Sequence, residues 1–142
     1  MRALLDVNVL LALFDPGHLF HQRARAWWHA NRDGGWASCP LTENGYLRIV
    51  SQKSYARAVR LPDALKLFRN WAVPPLHEFW PDDVSLIDAT RFEYGHLLGP
   101  KQITDVYLLA LAVERSGRLV TCDRGISVHA VKGATLDNLI TI

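Results

Sequence analysis

Short apolar runs alternate with segments of helical period along this chain, and that alternation limits the fold more than any other feature. RALLD (residues 2–6), WASC (36–39), HEFWP (77–81) and RLVTCD (118–123) read as strands, and LITI (139–142) as a fifth, at an edge. The first run passes at Asn8 into the helical VLLALF. HLFHQRARAWWHANR then carries Leu19, Phe20, Ala24, Trp27 and Trp28 at spacings of three and four, the stripe of an amphipathic helix, and DGG ends it. Pro40 and Pro62 sit where proline suits a first helical turn, opening PLTENGYLRIVSQ and PDALKLFRNWAV. The segment 85–97 reads as another helix, and ITDVYLLALAVERSG as a strong one with Thr104 at its cap and Gly117 at its stop. Strands and helices in this order imply an α/β fold: a mainly parallel sheet of about five strands with helices on both faces. With 142 residues and no repeat or linker, the expectation is a single domain spanning 1–142.

Such sheets place their sites beyond the carboxyl ends of the strands. Four acids fall there: Asp6 in LLDVN, Glu43 in CPLTENG, Asp105 in ITDVYLLALA and Asp123 in VTCDRG. Asp6 and Asp123 end predicted strands, whereas Glu43 and Asp105 lie in first turns of helices. Taken singly, each has a plainer reading, because the helix dipole favours acids in a first turn and Asp at a strand end caps the following turn. Taken together, four carboxylates on one edge repel, and a hard divalent cation relieves them best. Oxygen ligands select Mg²⁺ or Mn²⁺, bound by one or two direct carboxylates with water completing the shell. An unpaired carboxylate inside a domain costs several kcal/mol. Asp6, set among Leu4, Leu5 and Val9, would thus be tolerated because a metal neutralises it. Metal-assisted phosphodiester hydrolysis is the reaction class that follows. The alternative is a non-catalytic binding module in which the acids are only helix-start and turn features.

Composition excludes little else. Hydrophobic residues at 49% and charged residues at 21% describe an ordinary folded core rather than a disordered or fibrous chain. No apolar run reaches the roughly 20 residues a bilayer requires, and Asp6 interrupts the place where a signal peptide is most apolar, so a cytoplasmic protein without membrane contact is expected. The net charge is only +2, but between Arg48 and Arg69 lie Lys53, Arg57, Arg60 and Lys66 with Asp63 as the only acid. That stretch is a candidate basic face for a polyanion. His18, His21 and His29 do not make a zinc set, since no cysteine is near them in sequence. Trp27 and Trp28 are expected in the core or against a partner.

In the order and spacing of LLDVNVLLALF, HLFHQRARAWW, CPLTENGYLRIVSQ, ITDVYLLALA and LVTCDRGI, the chain resembles PIN-domain ribonucleases, and within them the VapC-type toxins of bacterial toxin–antitoxin pairs. The resemblance covers nearly the whole chain. It implies that Asp6, Glu43, Asp105 and Asp123 form an acidic pocket for Mg²⁺ or Mn²⁺, with Asp6 and Asp105 direct ligands and Glu43 and Asp123 direct or through water. It further implies that Asn8, Thr104 and Thr121 orient those acids, and that the partners are RNA, a cognate antitoxin and a second copy of the chain. Arg48, Lys53, Arg57 and Arg60 then become candidates for following the RNA backbone. The family's sheet order places the strands of Cys39 and Cys122 two spacings apart, about 9.5 Å. Disulfides rarely form beyond a Cα separation of about 7 Å, so both thiols are expected free.

Overall fold

A computed structural model describes residues 1–142. Its strands are β1 (Ala3–Leu5), β2 (Trp36–Ser38), β3 (His77–Phe79), β4 (Arg118–Thr121) and β5 (Leu139–Thr141), joined by helices α1 (Val7–Phe14), α2 (His21–Asn31), α3 (Pro40–Val50), α4 (Leu61–Trp71) and α5 (Ile103–Glu114). All five strands are parallel, in the order β3-β2-β1-β4-β5. The chain winds outward from β1 through β2 to β3, then returns to the other side of β1 for β4 and β5. The switch in direction opens a crevice between the carboxyl ends of β1 and β4, where α/β sheets bind ligands.

Because strand side chains alternate, the sheet divides the core in two. Leu4, Ala37 and Leu119 face α5, whose residues from Val106 to Ala112 are all buried. Ala3, Leu5, Trp36 and Val120 face α1 to α4. Trp28 belongs to this second core, edge-on to Trp36 at 6.5 Å between ring centres, while Trp27 carries the Arg118 guanidinium over its ring at 5.9 Å. β5 is an edge strand, as expected. Cys39 and Cys122 are free, each just past the end of a strand, β2 and β4, which β1 separates.

Two helical expectations fail. The segment 85–97 is a series of turns with one short 3₁₀ turn at Tyr94–His96. Asp88 accepts the Thr90 amide at 3.0 Å and the Thr90 hydroxyl at 2.6 Å, forming a turn where a helix would continue. Phe92 instead pairs across to Val131, burying Phe92 against α5. Thr104 is not a cap: a 3₁₀ turn at Pro100–Gln102 leads into α5, Gln102 takes the cap position, and Thr104 is exposed inside the first turn. At the far end of α5 the amides of Ser116 and Gly117 donate to Val113 and Ala112, closing the helix with Ser116 at a left-handed φ of 52°. Gly117 serves space rather than conformation, since a Cβ there would lie 2.6 Å from the Trp80 ring and 2.8 Å from the Arg2 carbonyl.

Candidate active site

Asp6 ends β1 in extended backbone and caps α1, its Oδ1 accepting the Val7 amide at 2.7 Å. Its Oδ2 accepts both the Asn8 side-chain amide and the Thr121 hydroxyl at 2.7 Å. Thr121 is fully used: its one proton goes to Asp6, and its oxygen accepts the Asp123 amide at 3.0 Å and the Asn8 amide at 3.1 Å. Asn8 closes the ring by accepting the Cys122 amide at 3.0 Å. Asn8 and Thr121, expected to orient the acids, thus lock the end of β1 to the end of β4. Asp123 lies just beyond, its Oδ1 accepting the Gly125 amide at 2.6 Å. Gln102, which the sequence did not single out, donates to the Gly125 carbonyl at 2.7 Å and accepts the Leu98 amide at 3.0 Å, tying this loop to the start of α5 and hence to Asp105.

The three aspartates feel one another. Asp6, only 6% exposed, has its carboxyl raised mainly by desolvation and further by the charge of Asp123, against the lowering effect of its bonds to Thr121, Val7 and Asn8. Asp105 is raised to about 6 by desolvation first, then by the charges of Asp6 and Asp123. It accepts no hydrogen bond from any part of the chain. No lysine, arginine or histidine pairs with any of the four acids: the ion pairs lie elsewhere, as in Arg57–Asp15, Arg115–Asp83 and Arg91–Glu114. Cap and turn roles account for Asp6 and Asp123. Asp105 sits in the first turn of α5, where the helix dipole favours an acid by about 0.3–1 kcal/mol, yet it is a half-buried carboxylate that gains no donor and two negative neighbours.

Glu43 approaches from the other face of the sheet. Gly45 lets α3 close on α1, since a Cβ there would lie 2.6 Å from Val7 Cγ2, beside Asp6. The Glu43 carboxylate leans toward β2, with Oε1 accepting the Ser38 hydroxyl at 2.6 Å. Ser38 in turn lies 2.8 Å from His77 Nε2, an imidazole held below its ordinary pKa by burial and then by the Arg2 charge. No three carboxylate, imidazole or thiol groups are drawn up closely enough to chelate an ion as they stand. Asp6, Asp105 and Asp123 thus lie within reach of one another's charge without forming a chelating cluster, and Glu43 stands apart from them, held by Ser38. Thr104, exposed and bonded to none of the acids, does not orient them.

Of the basic candidates, Arg57 is already committed: its Nε donates to both Asp15 oxygens at 2.8 and 2.6 Å, and Tyr55 donates to the same carboxylate at 2.8 Å. Asp15 closes the end of α1 opposite Asp6, roughly 13 Å away along the helix axis. Arg48, Lys53 and Arg60 are exposed and unpaired. Two exposed, unpaired cations flank the acids themselves, Lys101 before α5 and Arg124 after Asp123. Their adjacency to catalytic-looking acids in GPKQITD and CDRG was the signal that would have found them.

The PIN domain family matches residues 3–132. This chain is a PIN domain. It is similar to Ribonuclease VapC44 of Mycobacterium tuberculosis (strain ATCC 25618 / H37Rv), 48% identical over 142 residues and 100% of both chains. Ribonuclease VapC39 of the same strain is 41% identical over 135 residues, covering 94% of this chain and 96% of the relative, and Ribonuclease VapC38 is 42% identical over 125 residues, covering 87% and 86%. The PIN domain described here therefore belongs with the VapC ribonucleases. Among solved structures, the crystal structure of VapBC2 from Rickettsia felis bound to a DNA fragment from their promoter shares the fold, with a TM-score of 0.53 at 14% identity over 87% of this chain and 89% of that one. The side chains fit a hard cation: an oxygen-only set, no protein counter-charge, and a carboxylate at Asp105 whose proton affinity is raised and whose oxygens are unclaimed.

Proposed function

We propose that this PIN domain is a metal-dependent endoribonuclease toxin, held silent by a cognate antitoxin, that hydrolyses RNA phosphodiester bonds at the crevice between β1 and β4. The observation that carries the reading is Asp105, a half-buried carboxylate with no hydrogen-bond donor and no counter-charge, set beside the charges of Asp6 and Asp123. Asp6 and Asp105 would hold Mg²⁺ or Mn²⁺ directly, with Asp123 and Glu43 direct or through water. Bound there, such an ion supplies an activated water and offsets charge building on the scissile phosphate. The chain's own part is positional. Asn8 and Thr121 fix one Asp6 oxygen so that the carboxylate cannot rotate. Gln102 holds the loop of Asp123 against α5.

RNA would reach this acidic edge through exposed cations that screen its phosphates: Lys101 and Arg124 beside the acids, then Arg48, Lys53 and Arg60 farther out. A second copy and the antitoxin are the protein partners we assign, and Leu19, Ile87, Leu98 and Leu136, each at least 80% exposed, offer apolar surface for them. No helix is long and apolar enough to cross a membrane, and we assign the protein to the cytoplasm. The deciding experiment is cleavage of a labelled RNA by the antitoxin-free protein with Mg²⁺, with EDTA, and for Asp6→Asn. Cleavage is expected only in the first; equal cleavage in all three would trace the activity to a contaminant and remove the proposal.

A further inference from the structure

Ser38 and His77 lie 39 residues apart in sequence and belong to neither the acidic set nor its expected supports. Parallel pairing brings them together. Trp36 is in register with His77 and Ser38 with Phe79, so Ser38 and His77 project from the same face of β2 and β3 one pair apart. Ser38 is 0% exposed, and its hydroxyl sits between Glu43 Oε1 at 2.6 Å and His77 Nε2 at 2.8 Å. The His77 ring is braced by Trp36, with ring centres 4.4 Å apart.

Valence decides the direction of these bonds. An ionised Glu43 can only accept, so the single Ser38 proton must point to it. The Ser38 oxygen can then only accept from its other neighbour, which requires a proton on His77 Nε2. The result is a one-way relay from His77 through Ser38 to Glu43, in which one carboxylate oxygen is claimed and Oε2 is left without a partner on the chain. A buried hydroxyl supported in this way gives a flexible glutamate a single orientation.

We infer that Ser38 and His77 are positioning residues that hold Glu43 by one oxygen and present the other to the site. The inference rests on the nuclease reading for its kinetic consequence but not for its geometry. Outer supports of metal-binding carboxylates typically change affinity or activity by about 10- to 100-fold when removed. Ser38→Ala is therefore expected to lower kcat and weaken Mn²⁺ binding, followed by calorimetric titration, within that range, while Ser38→Thr, which keeps the hydroxyl, restores both. His77→Phe should cost less than Ser38→Ala in the wild-type background and nothing further in the Ser38→Ala background, because its effect passes through that hydroxyl. His77→Gln, whose amide can donate to Ser38, should recover activity.

A readout independent of cleavage separates this inference from the nuclease reading. Imidazole nitrogen NMR of the metal-free protein is expected to show His77 as the Nε2–H tautomer, and Ser38→Ala is expected to abolish that preference. An Nδ1–H tautomer in the wild type, or an equal cost of His77→Phe with and without Ser38, would overturn the relay even if the enzyme cuts RNA. Should the protein cut no RNA while the tautomer behaves as described, the relay stands and the nuclease reading alone falls.

Discussion

Replacing Asp105 by Asn should make the metal-free protein more stable while abolishing cleavage. The Asp105 carboxyl is displaced from 3.8 to about 6, which at neutral pH corresponds to about 3 kcal/mol of strain in the folded state. The side chain is only half-buried, so solvent screening reduces this to roughly 1–2 kcal/mol. The sign follows from proton binding: between about pH 4 and 6 the folded protein holds a proton on Asp105 that the unfolded chain has lost, so its stability falls as pH rises through that window and stays low above it. Asn carries no charge and escapes the penalty. At about 0.3 kcal/mol per kelvin of unfolding entropy for a chain of this length, Tm in EDTA at pH 7.5 should rise by roughly 3–6 °C. The gain should shrink as pH falls through about 6 and approach zero only below about 4, where the carboxyl is neutral in the folded and the unfolded state alike. Added Mg²⁺ should stabilise the wild type and not the variant. Calorimetry of the two proteins at pH 7.5 and 4.5 supplies the comparison, and the difference between them cancels the titrating groups that do not interact with Asp105. A variant equally or less stable at pH 7.5 would refute the claim that burial, reinforced by the charges of Asp6 and Asp123, strains the Asp105 carboxylate.

Asn8→Ala removes the donor to Asp6 and orphans the Cys122 amide, so chemical denaturation should show a loss of about 1–3 kcal/mol, with cleavage down about 10- to 100-fold. Ser116→Gly should stabilise the protein by about 0.5–1 kcal/mol without altering activity, because it relieves a left-handed backbone at the end of α5, far along the helix from Asp105. Gly45→Ala must force α3 away from Val7, and a loss of about 1–3 kcal/mol on thermal unfolding, with reduced cleavage from displacement of Glu43, is the expected result.

The strand and helix order was legible because most strands are short apolar runs and two helices open on proline, signals that need no knowledge of distant contacts. The nearness of Asp6 and Asp123 was legible for a similar reason, because parallel strands put the ends of β1 and β4 on one edge, and Asp105 comes within reach of their charge from the first turn of α5. What the sequence hid depends on contacts across the chain. The segment 85–97 has apolar spacing compatible with a helix, but the Asp88–Thr90 turn and the bridge from Phe92 to Val131 prevail. Arg57 looked free until folding brought Asp15 to it across 42 residues. Ser38 and His77 carry no motif at all, and only the β2–β3 register reveals their contact with Glu43. Thr104 looked like a cap because nothing in PKQITD shows that a 3₁₀ turn precedes the helix.

The bonds of Asp6 to its neighbours on β4 span 115 residues. A ribosome delivers that strand late, so a growing polypeptide arrested before residue 118 has β1 but neither the hydroxyl that steadies Asp6 nor the acid that follows it. Asp6 therefore gains its full set of hydrogen bonds only once β4 has been made and paired with β1, and a polypeptide ending before that strand is expected to lack the assembled acidic site.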